Sequence, residues 1–260
     1  MRIPLYQLDA FADRVFAGNP AAVCPLEGWL PDATLQSIAV ENALSETAFL
    51  VGGAGRYRLR WFTPGAEVDL CGHATLAAAS VVFETLEPGR SRVVFDSLSG
   101  ELAVERDGEL LALDFPSRPP VPCDEIPGLA EALGRAPGEL LTSRDLLAVY
   151  ASEEDVRALA PDFAALSRID AFAVIVSAPG RGCDFVSRFF APRVGVPEDP
   201  VTGSAHCTLA PYWAARLGKT VLRARQVSAR GGELACELRG ERVRIAGRVV
   251  RYLEGTITLG

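Results

Sequence analysis

The sequence predicts an α+β chain of two pseudo-symmetric domains, each a mostly antiparallel sheet or barrel wrapped around a central helix. Three observations carry this. Motifs return in the same order: Trp61-Phe62-Thr63-Pro64 as Phe189-Phe190-Ala191-Pro192, Gly72-His73-Ala74 as Gly203-Ser204-Ala205, and Gly100-Glu101-Leu102-Ala103 as Gly232-Glu233-Leu234-Ala235. After a small insertion near residue 195 the offset holds at 131 to 132. Two copies make a pair of domains, not a solenoid. Each half also contains one Ala-rich stretch of helical length that is free of charge over most of its run. A helix apolar on all sides must be buried, here inside its own strands. The remainder reads as short strands between turn signals, with no Gly-rich dinucleotide fingerprint.

Residues 3–9 alternate apolar and polar positions as a strand does. Gly18-Asn19-Pro20 marks a turn that feeds a short apolar strand ending at Cys24. From Asp32, the residues Leu35, Ile38 and Ala39 recur at helical spacing, so Asp32 is expected to cap a helix running to about Ala43. Residues 47–51 and 57–62 are rich in aromatic and branched side chains and read as strands. Beyond the first Ala-rich segment come strands at 92–95, 101–105 and 110–115, the last two joined by Asp107-Gly108. Residues 116–122 hold four prolines and read as the linker between halves. Short helices are expected next, one capped by Ser152 with Asp155 three residues on. Strands at 171–177 and 184–191 precede the second Ala-rich helix, for which Gly218 is the expected stop. Strands at 221–226, 233–238 and 242–246 then match the first half. The unrepeated strand at 249–259 is expected to return to the first domain. The expected domains are therefore 1–117 with 249–260, and 118–248.

A chain of 260 residues with 49% hydrophobic content has room for two ordinary domains and their cores. The net charge of −7 and a pI of about 5.0 argue against a nucleic-acid partner. No uncharged run reaches membrane-spanning length, and residues 1–4 lead straight into strand-like sequence without a signal stretch. The six cysteines show no metal-like spacing and read as reduced thiols, mostly core residues. A cytoplasmic protein is expected. Nothing calls for a metal, nucleotide, flavin or pyridoxal phosphate, so no cofactor is expected.

The chemistry is expected where the two buried helices begin. Their first N–H groups lack intrahelical partners, and an anion satisfies both those groups and the helix dipole. Gly72 and Gly203 would let a ligand approach the backbone closely. Two such helix starts facing one cleft would hold a carboxylate-bearing small molecule, or a developing enolate, from both sides. The alternative is that both glycines only make tight turns. The side chains gathered there are Asp69, Cys71 and His73 in the first half, and Asp199, Thr202 and Ser204 in the second. The helix dipole is expected to disfavour the charged form of His73. His206 reads as a core residue or one that supports the site from behind, and Asp199 as a helix or turn cap. Cys71 corresponds to Thr202 in the repeat, so a pair of opposed thiols is absent. Cys71 reads as a small buried residue lining the site.

These same residues carry a resemblance. Asp9-Ala10-Phe11 with Phe16-Ala17-Gly18-Asn19-Pro20-Ala21-Ala22-Val23, then Leu44-Ser45-Glu46-Thr47-Ala48-Phe49, resembles the PhzF-like (phenazine-biosynthesis-type) isomerase family. So do Asp69-Leu70-Cys71-Gly72-His73-Ala74-Thr75 and Glu198-Asp199-Pro200-Val201-Thr202-Gly203-Ser204-Ala205. The resemblance implies a diaminopimelate-epimerase-like fold with the site between its domains, and a homodimer. It implies that Glu46 transfers the proton, that His73, Asp199 and Ser204 position substrate or assist, and that Gly72 and Gly203 lend backbone donors. The residues alone would not single out Glu46, since a carboxylate at a strand end is commonly exposed. Partial desolvation beside the 48–51 strand would suit it to carry a proton both ways.

The leading expectation is a cofactor-independent isomerase moving a proton on a small carboxylate-containing metabolite by general acid/base catalysis. A one-thiol epimerase or dehydratase using Cys71 is the second, and a non-catalytic carboxylate-binding protein the third. The fold hosts several substrates, so no pathway follows from it.

Overall fold

The computed structural model describes all 260 residues, Met1 to Gly260, as eighteen strands numbered in chain order and six α-helices. They form two compact units, Met1–Asp114 with Ala246–Gly260, and Phe115–Ile245.

The first unit contains β1 (Arg2–Ala10), β2 (Asn19–Leu26), α1 (Asp32–Asn42), β3 (Glu46–Gly53), β4 (Arg56–Phe62), β5 (Glu67–Val68) and α2 (Gly72–Val81). It continues with β6 (Arg92–Ser97), β7 (Gly100–Asp107), the start of β8 (Leu110–Pro116) and the last strand, β18 (Val249–Thr258). Spatially the strands run β18, β1, β2, β3, β4, β6, β7, β8, all antiparallel except the β2–β3 and β4–β6 pairs. The short β5 pairs with the far end of β4. Every residue of α2 from His73 to Val81 is buried, and the helix packs on β1, β2 and β3. Its alanines make this approach possible: Ala74, Ala77, Ala78 and Ala79 are wholly inaccessible. On the other side of β3, Phe49 joins Leu35, Ile38 and Ala39 of α1 and Phe62 of β4 in a separate cluster.

The second unit contains β9 (Val121–Pro122), α3 (Leu129–Leu133), β10 (Glu139–Thr142), β11 (Leu146–Val149), α4 (Glu153–Ala158), α5 (Phe163–Leu166), β12 (Val174–Pro179), β13 (Phe185–Ala191) and β14 (Val196–Asp199). A 3₁₀ turn, Gly203–Ala205, runs into α6 (His206–Leu217), followed by β15 (Val221–Gln226), β16 (Gly232–Arg239) and the start of β17 (Arg242–Gly247). Spatially the order is β9, β10, β11, β12, β13, β15, β16, with β11–β12 and β13–β15 the parallel pairs. The short β14 pairs with β13 as β5 does with β4. Leu133, Val156, Val176, Val186 and Phe190 anchor a core between this sheet and its small helices.

Several local expectations change. Asp32 is the first residue of α1 and makes no capping hydrogen bond; its carboxylate instead meets Arg60 at 2.9 Å. Ser152 does cap α4 reciprocally with Asp155, and Gly218 closes α6 in the left-handed conformation. The second unit holds strands β10 and β11 where only short helices were expected. Residues 121–122 of the proline-rich stretch join that sheet as β9. No helix is long and apolar enough to cross a membrane.

Candidate active site

The β1–β2 turn, the start of β3 and the N-terminus of α2 meet in the first unit. Asp9, buried at the end of β1, accepts the Phe16 N–H at 2.9 Å and holds the turn. Gly18 has φ +66°, and a Cβ there would lie 2.2 Å from the Ala10 carbonyl oxygen, so only glycine fits. This turn delivers Asn19, wholly buried, to the first position of β2. The parallel register places Ala21 of β2 opposite Glu46, the first residue of β3. Strand alternation puts Glu46 on the face of Ala48 and Leu50, opposite Phe49 and the α1 cluster, and hence toward α2.

Cys71 is the N-cap of α2 and makes no side-chain capping bond, leaving the first N–H groups of the helix to other partners. His73, one residue into the helix, places Nε2 2.9 Å from Oε2 of Glu46. That oxygen is buried and lacks a well-aligned hydrogen-bond donor, so the contact is electrostatic rather than a straight hydrogen bond. The Glu46 side chain as a whole keeps 17% exposure against 7% for His73, which leaves it one open side. On the far edge of the ring, the Asn19 amide nitrogen lies 3.2 Å from Nδ1, and Ser45 donates its hydroxyl to the Asn19 amide oxygen at 3.3 Å. Cys71 Sγ is 3.5 Å from Nδ1 and 3.9 Å from Nε2.

These contacts set the protonation. An amide N–H aimed at Nδ1 leaves the ring's hydrogen on Nε2, facing Glu46. Burial disfavours a charged imidazole, yet the Cys71 sulfur and the Glu46 carboxylate reverse that and hold His73 well above its ordinary value. The expectation that the dipole would keep His73 neutral is thus corrected, because adjacent Glu46 and Cys71 outweigh the helix end. Charging the ring adds an Nδ1–H, which requires Asn19 to turn its oxygen toward it. Burial, with Glu46 adding to it, pushes the Cys71 thiol up to about 11, so the thiol is protonated at neutral pH and unsuited to act as a base.

In the second unit, Asp199 ends β14 and Thr202 precedes the 3₁₀ turn that carries Gly203 and Ser204. Thr202 donates its hydroxyl to the Asp199 carboxylate. Gln226, buried at the end of β15, accepts the Thr202 N–H at 2.9 Å and donates to the Asp199 carbonyl at 2.8 Å, fixing this turn. Neither Gly72 nor Gly203 has positive φ, so left-handed turns are not their reason. His206 is the first residue of α6 and donates Nδ1–H to the Thr202 carbonyl at 2.9 Å. Burial pulls it down to about 4, so it is the neutral core residue the sequence suggests.

The first unit therefore brings Glu46, Cys71, Gly72 and His73 together, and the second brings Asp199, Thr202, Gly203 and Ser204 together. Asn19, Ser45 and Gln226 were not singled out from sequence. Asn19 stood in a turn signal that explained it fully, and Gln226 offered no signal at all.

With that geometry in view, the comparisons are specific. The family model for phenazine biosynthesis-like protein matches residues 8–255. The chain belongs to that family. A relative named an uncharacterized isomerase from Pseudomonas aeruginosa is 56% identical over the full length of both chains. A phenazine biosynthesis-like domain-containing protein from Homo sapiens is 40% identical and covers 99% of this chain and all of its own. The crystal structure of a PhzF family protein from Enterococcus faecalis superposes with TM-score 0.97 at 49% identity, covering all of both chains. The chain shares its mixed, mostly antiparallel fold with a probable proline racemase from Agrobacterium radiobacter, at TM-score 0.66 and 12% identity. The chain is an enzyme of the isomerase class.

Proposed function

We propose that this isomerase moves a proton on a small carboxylate-containing metabolite without a cofactor, with Glu46 as the group that takes and returns it. One observation carries the reading: a carboxylate that keeps 17% exposure lies 2.9 Å from a buried histidine at the N-terminus of a buried helix that no side chain caps. Glu46 would remove a proton from a carbon conjugated to a carboxyl or carbonyl group. The N–H groups at Gly72 and the dipole of α2 would stabilise the enolate that forms, a kind of electrostatic help whose removal typically costs about 10²–10³ in rate. His73, placed by Asn19 and Ser45, would balance the charge on Glu46 as the proton leaves and returns.

The repeat and the family resemblance extend the proposal to residues of the second unit. Asp199 and Ser204 would assist and position the substrate, Gly203 and Thr202 would supply donors, and the cytoplasm would be the setting. Cys71 would line the site without titrating.

The test is solvent-deuterium incorporation into a panel of small unsaturated and amino carboxylates. Glu46→Gln should abolish exchange while substrate binding, followed by calorimetry, is retained. Undiminished exchange in that variant would remove Glu46 from the mechanism.

A further inference from the structure

We propose that Glu46, Cys71 and His73 also form a binding site for one divalent cation of the borderline-soft, Zn²⁺ type. Their donor atoms, a carboxylate oxygen, a sulfur and an imidazole nitrogen, all lie within 4.8 Å of one another. Zinc at ordinary bond lengths in a tetrahedron sets its ligand atoms about 3.3–3.5 Å apart. Here Nε2 is 2.9 Å from Oε2 and 3.9 Å from Sγ, each a few tenths of an ångström from that spacing, and the third pair, Sγ and Oε2, lies within 4.8 Å and closes by rotation of the two side chains. Oε2 is buried and makes no aligned hydrogen bond, so it can turn its acceptor capacity to an ion. Sulfur and imidazole ligands select against Mg²⁺ and Ca²⁺, which take oxygen. Three protein ligands leave a fourth position for water.

The outer contacts fit as well. A metal on Nε2 leaves the hydrogen on Nδ1, where the Asn19 amide oxygen can accept it after a half-turn of the amide. Binding is balanced in protons: the Cys71 S–H bond breaks, its proton goes to the buffer, and sulfur donates its electron pair to the ion. If the ring is charged, its Nε2 proton leaves too. The cysteines alone could not reveal this site, because two of the three ligands are not cysteine and Glu46 comes from another element. An ion held here would engage the oxygen assigned to proton transfer and block it. That consequence rests on the proposed function; the binding does not.

The experiment is an anaerobic titration of chelator-treated full-length protein with Co²⁺, followed by displacement with Zn²⁺. One equivalent should produce a near-ultraviolet sulfur-to-cobalt charge-transfer band with tetrahedral visible bands, and Zn²⁺ should abolish both. Cys71→Ser should lose the charge-transfer band, and Glu46→Gln should weaken Co²⁺ binding ~10-fold or more, with circular dichroism showing both variants folded. No charge-transfer band in the unmodified chain, or an undiminished band in Cys71→Ser, overturns the metal site. Exchange abolished by Glu46→Gln with no cobalt band would leave the proton-transfer reading standing alone. The reverse would leave only the metal site.

Discussion

Asn19 governs the protonation of His73 through one rotatable amide. Its nitrogen faces Nδ1 in the neutral ring, and Ser45 can donate to or accept from the amide in either orientation. Asn19→Asp would present a carboxylate to Nδ1 and hold its hydrogen in place. His73 should then titrate still higher, with the ring charged across the neutral range. The chain has two histidines, so ¹⁵N-histidine NMR resolves the outcome directly, and an unmoved His73 titration would refute it. Exchange activity should fall at the same time, since a ring fixed as imidazolium no longer adjusts to the charge on Glu46. At this scale the sequence was only partly legible. His73 and Cys71 announce themselves by sitting where a charge-free helix begins. Glu46 does not, because its partner is 27 residues away and only the β2–β3 register brings it near α2. The metal-like donor set was hidden for the same reason.

Helix α2 was the most legible element, because an uncharged alanine run has nowhere to go but inside. The strands closing around it leave no room for larger side chains. Ala78→Leu should overpack the contact with β1 to β3 and lower stability by about 1–3 kcal/mol, measured by urea unfolding. Wild-type stability in that variant would mean that the surrounding strands yield more than their packing indicates. Elements β10 and β11 were illegible for the opposite reason. Four-residue runs such as Leu146–Val149 lack the length for periodicity to decide between helix and strand. Asp32 shows a different failure: a residue type suited to capping was drawn instead to the Arg60 guanidinium across from it.

For the whole molecule, the two histidines set opposite pH limits on stability. Burial holds His206 at about 4 when folded, below its ordinary 6.5, so the unfolded chain binds the proton more readily. Its contribution is present above 6.5 and is lost as pH falls toward 4, a loss on the order of 3 kcal/mol. His73 is held above its ordinary value, so its contribution is complete below 6.5 and disappears as pH rises through its folded value. Urea midpoints across pH 4–8 should therefore fall at the acid end. His206→Asn, which keeps a donor for the Thr202 carbonyl, should flatten that limb; an unchanged limb would show that other groups cause it. The repeated motifs, with the turn signals between them, made most strands legible in both halves. They were silent about the polar contacts, since Gln226 and Asn19 act through hydrogen bonds that no repeat encodes.

The partnership of β18 with β1 joins Thr258 to Arg2. On the ribosome, residues 115–245 emerge as one uninterrupted stretch and can complete their fold while the earlier segment waits. Until 249–258 appear, β1 presents a naked edge, its backbone groups open to any neighbouring nascent chain. Removing those last residues should therefore leave the 115–245 unit intact and make the remainder prone to aggregate.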